Sequence, residues 1–357
     1  MQRALILAER GRGRTSPNPL VGAVVVSPDG VVVGQGAHEF AGGPHAEIHA
    51  LTAAGDRARG ATLYCTLEPC CHTGRTGPCV ARIAEAGVRR VVAATLDPNP
   101  LVAGKGFAFL RSRGIDVCVG VGEAAARAMN QPFFTLVMEH RPFVIAKAAV
   151  SADGMIAASP GVRTHLTDVP AERHAQRVRA EIDAIAVGSG TILADDPLLT
   201  ARGAYRARPL TRVIFDRRLR TPPSARVLST AAAGPVIIVT TAEEASASDR
   251  RAALEAQGAE VVMAGQDDLP AALSLLGERG IGSLLLEGGA TLHRAAWDAG
   301  LIDFVRLYVT PHVLGAHGLP LFGDRGFSAL INGTLVDRRV QPLGPDTLIE
   351  GYVHGPR

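Results

Sequence analysis

Long apolar runs are missing from this 357-residue chain, and so is any block of like charge. The apolar stretch Ala4 to Ala8 is closed by Glu9 and is too short for a secretory h-region or a membrane span. It is read as part of a first amphipathic helix, and the chain as cytoplasmic with no membrane partner. Aromatic residues make up only 4% and the formal net charge is +3, carried by scattered arginines. A basic stripe and stacking side chains are therefore both lacking, which argues against nucleic acid. Cysteine is scarce too, five residues in all, so no disulfide framework is built. No strand feeds a G-x-G-x-x-G turn. Gly188-Ser189-Gly190 comes closest, but Leu193 holds the third glycine position, so the standard Rossmann fingerprint is absent.

What is present is a globular composition, 47% hydrophobic and 20% charged, on a length that suits two domains. A helix over 2–11 leads through Ser16-Pro17-Asn18-Pro19 to a hairpin, Leu20 to Ser27 and Val31 to Gly36, joined by Pro28-Asp29-Gly30. Strands and helices then alternate to His140-Arg141-Pro142, where the boundary is placed, giving domains 1–141 and 142–357. The second part opens with a strand from Phe143 to Ser151. A helix from Pro170 to Ile182 follows, capped by Thr167 or Asp168. Further alternation implies α/β architecture with a mostly parallel sheet. Two late apolar strands, Phe304 to Thr310 and Thr347 to Val353, have no helix between them and are expected to pair antiparallel at one edge.

Four of the cysteines, Cys65, Cys70, Cys71 and Cys79, crowd into fifteen residues, which reads as metal binding. Upstream, Gly43-Pro44 introduces His45-Ala46-Glu47 at the start of a helix, where a positive dipole favours a neutral, metal-binding imidazole. A strand from Ala61 to Leu67 delivers Glu68-Pro69-Cys70 to its end, and Pro78-Cys79 opens the next helix, where thiolate is favoured. One histidine and two thiolates make a catalytic zinc set, which leaves a fourth position to water. A nearby glutamate outside the ligand set, here Glu47, moves protons in base deaminases of the H-x-E…P-C type. The gap between the two cysteines is wider than the usual pair. Cys71 and His72 are the alternative ligands, and Cys65 is assigned to the core. Asn18 is either a turn residue or a substrate contact.

In the second part, glycine-rich strand ends that face helix N-termini suit anions, because free N–H groups and the dipole point at the ligand. Gly288-Gly289 before Ala290-Thr291 is the best candidate for a dinucleotide pyrophosphate, with a tight strand-to-helix turn as the plainer reading. Alone, this half says only that it binds a nucleotide or a phosphate.

Taken together, the stretches Asn18-Pro19-Leu20-Val21-Gly22, Gly43-Pro44-His45-Ala46-Glu47, Leu67-Glu68-Pro69-Cys70 through Cys79, Asp97-Pro98-Asn99-Pro100, Leu193-Ala194-Asp195-Asp196-Pro197 and Glu287-Gly288-Gly289 carry a resemblance that spans nearly the whole chain. It resembles the bifunctional riboflavin-biosynthesis family that joins a diaminohydroxyphosphoribosylaminopyrimidine deaminase to a 5-amino-6-(5-phosphoribosylamino)uracil reductase. The wide cysteine spacing is that family's own. The resemblance implies a cytidine-deaminase-like α/β/α domain followed by a dihydrofolate-reductase-like α/β domain with a mostly parallel sheet and an antiparallel edge. It implies that His45, Cys70 and Cys79 hold Zn2+, that Glu47 is catalytic, and that Arg75 contacts the ribose phosphate. It implies NADPH contacts at Ala149, His165, Thr191, Asp195, Gly289, Ala290 and Thr291, within a stretch reaching Ala295. Substrate contacts fall at Arg163, Arg179, Leu199, Arg202 and Glu287. The partners so implied are phosphorylated ribosylaminopyrimidines, with a homo-oligomer left open. The chain departs from the family pattern at Cys71, Gly77, Arg163 and His165, where serine, proline, serine and tryptophan are common. Arg217, just past the strand ending in Asp216, is placed by position and charge to meet the NADPH 2′-phosphate.

Two other readings compete. A zinc deaminase of nucleic-acid bases needs the basic face that is missing here. A structural zinc module fused to a nucleotide-binding domain needs a fourth Cys or His ligand.

Overall fold

In the computed structural model, the first arm of the expected hairpin becomes β1 (Gly22–Val26), which turns through Gly30 at φ 84 and returns as β2 (Val32–Ala37). A left-handed φ is costly with a Cβ, so glycine suits that corner. The structure describes residues 1–71, 77–230, 233–241, 249–265, 268–322 and 333–356. They form two compact units, Met1–His140 and Arg141–Gly355.

In the first unit, β1 pairs antiparallel with β2 and with β3 (Thr62–Cys65), and β4 (Arg90–Ala93) and β5 (Asp116–Val119) continue the sheet in parallel. Among the described residues six α-helices accompany it: α1 (Gln2–Ala8), α2 (Ala46–Ala54), α3 (Cys79–Glu85), α4 (Lys105–Ser112), α5 (Glu123–Met129) and α6 (Gln131–Glu139). The expected helix over 2–11 is α only to Ala8 and tightens into a 3-10 turn over Glu9–Gly11. Side chains such as Val25, Leu63, Ile83, Val91 and Leu110 make the core, with Cys65 fully buried among them as expected. Helix α2 lies almost on the backbone of β2. A Cβ at Gly34 would fall 2.1 Å from Ala50 O, and one at Gly36 would fall 2.4 Å from His49 Cβ. Two strand glycines therefore let the helix carrying His45 and Glu47 approach the sheet.

The second unit is a nine-stranded sheet. In spatial order it runs β11 (Ala259–Ala264), β10 (Val236–Thr241), β9 (Thr211–Phe215), β8 (Ala184–Gly188), β12 (Ser283–Leu286), β6 (Phe143–Val150), β13 (Phe304–Val309), β16 (Asp346–Tyr352) and β15 (Val336–Leu343). The strands from β11 to β13 are mutually parallel, whereas β16 and β15 are antiparallel to their neighbours. Runs such as Ala184–Val187 and Ser283–Leu286 are buried throughout, as parallel strands covered on both faces must be. One core packs Val144, Ala186 and Leu286, and another packs Ile185, Ile214 and Ile238. Helix α7 (Val169–Glu181) is capped by Asp168, whose carboxylate accepts from Val169 N at 2.6 Å.

The antiparallel pair Phe304–Val309 with Asp346–Tyr352 forms as expected, but it is not the edge. Strand β15 lies outside it, and seven of its eight residues are exposed. With almost nothing to bury, its sequence shows no alternation to reveal it. A short pair, Met155–Ala157 with Leu319–Pro320, stands apart from the main sheet. Among the described residues no helix is long and apolar enough to cross a membrane.

Candidate active sites

Three elements of the first unit each carry one metal-type donor. His45 is the N-cap of α2, extended at φ −73 and ψ 160, so its ring leaves the helix start rather than lying along it. Cys70 follows the end of β3, and Cys79 is the first residue of α3. His45 Nδ1 lies 3.2 Å from Cys79 Sγ and 3.4 Å from Cys70 Sγ, and the Cys79 backbone N–H donates to Cys70 Sγ at 3.4 Å. All three donor atoms fall within 4.8 Å of one another. Their lone pairs converge and share protons that a divalent cation displaces, so the residues fit zinc. Glu47, the second residue of α2, is buried at 3% exposure beside the same sulfurs.

Hydrogen bonding sets the charge here. The Cys79 thiol and, against the cost of burial, the His45 ring hold Cys70 down at about 4 as a thiolate. Its hydrogen bond with Cys70, reinforced by burial, pushes the Cys79 thiol up. Burial pushes Glu47 up to about 7, against the pull of His45. The hydrogen bond with Cys70 raises the His45 pKa against burial, with help from Glu47.

Cys71 is turned away, its Sγ directed at Leu101 O at 3.7 Å, so it does not replace a ligand. His72 and Arg75 lie outside the described residues. Asn18 is tied by Nδ2 to His38 Nε2 at 3.2 Å, and His38 Nδ1 faces Pro44 O at 3.1 Å. Burial lowers the His38 pKa, so a neutral ring donates to the carbonyl and accepts from Asn18. That leaves the Asn18 carbonyl oxygen pointing elsewhere. The His38 ring also meets His45 edge-on at 5.4 Å. Sequence reasoning missed His38 because a lone histidine just past a strand end carries no pattern.

In the second unit, a cavity of about 1140 Å3 opens at the carboxyl ends of the parallel strands, where ligands of such sheets bind. Ala149, His165, Thr191, Asp195, Gly289, Ala290 and Thr291 all line it, as do Arg217, Arg218 and Arg220. A cavity of about 230 Å3 is lined by Arg163, Arg179, Leu199, Arg202 and Glu287. Arg163, Thr191, Asp195 and Glu287 border both.

Gly288 and Gly289 answer different needs. A Cβ at Gly288 would stand 2.7 Å from Val187 Cβ, and Gly289, at φ 62, is the N-cap of the helix Ala290–Asp298. Arg179 grips Glu287 in a fork, Nε to Oε1 at 2.7 Å and Nη2 to Oε2 at 2.6 Å, and gives Nη1 to Thr200 O at 3.0 Å. Lys147 Nζ stands 3.8 Å from the same carboxylate and 5.5 Å above the Tyr308 ring. Burial opposes the Glu287 charge, yet Lys147 and Arg179 hold its pKa down at about 2. Sequence reasoning missed Lys147, although a lysine inside the apolar strand Phe143–Val150 was the signal. Leu199 adopts φ 51, a conformation that β-carbon residues avoid and that collects at functional sites.

A zinc-type donor set with a buried glutamate, and a dinucleotide-sized cavity above a parallel sheet, define a two-activity enzyme, a deaminase joined to a reductase. Residues 1–95 match the cytidine and deoxycytidylate deaminase zinc-binding region, and residues 142–349 match the RibD C-terminal domain. The riboflavin biosynthesis protein RibD of Aquifex aeolicus is 41% identical over 98% of this chain and 96% of its own, and that of Escherichia coli K12 is 38% identical over 98% and 97%. The solved structure of Acinetobacter baumannii RibD superposes with a TM-score of 0.86 at 36% identity, covering 98% of this chain and 97% of that one. A Thermotoga maritima structure described as a diaminohydroxyphosphoribosylaminopyrimidine deaminase/5-amino-6-(5-phosphoribosylamino)uracil reductase gives 0.85 at 35%, covering 99% and 97%. The chain belongs to the RibD family of riboflavin biosynthesis. It is a bifunctional deaminase/reductase with a cytidine-deaminase-like domain that takes zinc and a dihydrofolate-reductase-like domain that takes NADPH.

Proposed function

We propose that residues 1–141 deaminate 2,5-diamino-6-ribosylamino-4(3H)-pyrimidinone 5′-phosphate and residues 142–357 reduce 5-amino-6-(5-phosphoribosylamino)uracil to the ribitylamino product. The observation that carries this is the convergence of His45, Cys70 and Cys79 beside buried Glu47, in a chain that also holds the paired cavities. His45, Cys70 and Cys79 hold the metal, which when bound supplies a Lewis acid that makes water nucleophilic near neutral pH. Glu47 takes a proton from the attacking water and passes it to the amino nitrogen that leaves as ammonia. Burial favours the protonated form of Glu47, which suits a carboxyl that must accept that proton and then release it. Asn18, oriented by His38, offers its carbonyl to a ring N–H of the pyrimidine.

In the reductase domain, NADPH supplies the hydride. The start of the helix Ala290–Asp298 takes the pyrophosphate with Thr191 and Asp195 beside it, and Ala149 and His165 complete the cofactor wall. Arg217 meets the 2′-phosphate from the end of β9. Arg202 and Arg163 take the substrate phosphate. Arg179, already forked onto Glu287, holds that carboxylate toward the sugar next to Leu199. Scattered charge favours this small phosphorylated pyrimidine over nucleic acid, and reduced thiols fit a cytoplasmic setting.

Incubation with the diaminopyrimidine phosphate and zinc tests the proposal. Ammonia is released without NADPH, and NADPH oxidation follows only after deamination. Chelation stops the first step and spares reduction of the deaminated compound. Absence of ammonia release from zinc-loaded protein would refute the assignment.

A further inference from the structure

Glu68, two residues before Cys70, is 3% exposed yet has no part in the chemistry above. Both oxygens of its carboxylate accept from backbone. Oε2 accepts from Gly104 N at 2.9 Å and Asp97 N at 3.3 Å, and Oε1 accepts from Phe107 N at 3.2 Å. Gly104 is the N-cap of α4 and Phe107 lies in its first turn, so an anion from the end of another strand caps this helix start. The helix itself offers no side-chain cap. Space is just as restricted: a Cβ at Gly106 would lie 2.2 Å from Pro69 O and 3.0 Å from Glu68 Oε1. The turn Glu68-Pro69-Cys70 is thus gripped on one side by the start of α4. On the other side the start of α3 grips it, through Val80 N to Cys70 O at 3.2 Å and Cys79 N to Cys70 Sγ.

We propose that Glu68 is a positioning residue of the deaminase site, fixing the turn that brings the Cys70 thiolate to His45 and Cys79 at metal-binding separation. A charged acceptor suits the task, because three amide donors converge on it and a neutral side chain satisfies them only in part. Partners that orient a ligand from behind typically alter metal affinity by roughly 10–100-fold when removed. The inference rests on His45, Cys70 and Cys79 being the zinc ligands.

The test compares Glu68→Gln, Glu68→Ala and Gly106→Ala with the parent chain, all carrying their reductase half. Zinc affinity is measured by chelator competition, and ligand geometry by the visible spectrum of the cobalt-substituted protein. Far-ultraviolet circular dichroism reports folding, and NADPH oxidation with the deaminated substrate reports the reductase half. For Glu68→Ala, zinc affinity is expected to drop about 10-fold or more with an altered cobalt spectrum, and reduction to stay within about twofold of the parent. Glu68→Gln, which keeps one acceptor oxygen, should fall between parent and alanine. Gly106→Ala pushes the same turn from α4 and should shift the cobalt spectrum with Glu68 intact. An unchanged spectrum and zinc affinity in Glu68→Ala would overturn the proposal. If Glu68→Ala does not fold, the same result in Glu68→Gln and Gly106→Ala overturns it. Failure of Cys79→Ser to weaken zinc would instead refute the ligand assignment itself.

Discussion

Arg179→Met puts the reductase site to a quantitative test. The Arg179 side chain is 15% exposed and its partner Glu287 only 7%. Removing one member of such a pair strands the other, and losses of about 3–5 kcal/mol are typical. Lys147, 3.8 Å away, stays to compensate in part, so the expected loss sits near the lower end, about 3 kcal/mol. The chain has one tryptophan, Trp297, against Phe322 at 4.8 Å, so its fluorescence follows unfolding of this unit alone. With a urea slope of about 3 kcal/mol per M, the midpoint should fall by roughly 1 M. Arg179→Met with Glu287→Leu should regain at least half of the loss, because no carboxylate is then stranded. A single-variant loss under about 1 kcal/mol, or a double variant no better than the single, would refute the reasoning.

Other outcomes follow from the same geometry. Glu47→Gln should retain zinc by metal analysis while deamination falls by about 100-fold or more, and substantial residual turnover would remove Glu47 from proton transfer. Asp195→Asn and Arg202→Ala should each depress NADPH oxidation and leave ammonia release intact, which separate assays of the two steps will show. Acid should weaken the second unit. A carboxylate with a depressed folded pKa contributes stability above its unfolded value, and that contribution is lost as pH falls from about 4.5 to about 2. Trp297-monitored urea titrations across that window should show the decline, and Glu287→Gln should flatten it.

The zinc centre was legible because its donors sit at landmarks that sequence displays: a helix start after Pro44, a strand end before Pro69, a helix start after Pro78. Other features were illegible for physical reasons. Glu68 was in plain view, but its partners lie 29 to 39 residues downstream, and nothing local announces a carboxylate turned onto backbone. Arg179 was expected at the substrate from the family resemblance, and it does line the small cavity. Its fork is spent on Glu287, 108 residues away, a pairing only the folded sheet creates. The parallel strands were found because burial on both faces writes a continuous apolar run. Strand β15 was missed because it is exposed along nearly its whole length. The left-handed turns at Asp196 and Leu199 belong to residue types that give no warning of them.

That spent fork also decides what the small cavity looks like from a distance. Arg179 and Glu287 cancel, so among the residues that line the cavity the Arg163, Arg202 and Arg226 guanidiniums face one carboxylate, Asp195. A surplus of two positive charges at a concave mouth draws an anion before any contact forms and speeds its capture. Dissolved ions screen such attraction over about 8 Å at physiological ionic strength. Substrate capture by this half should therefore slow as salt rises, while the hydride step between bound reactants stays indifferent to it.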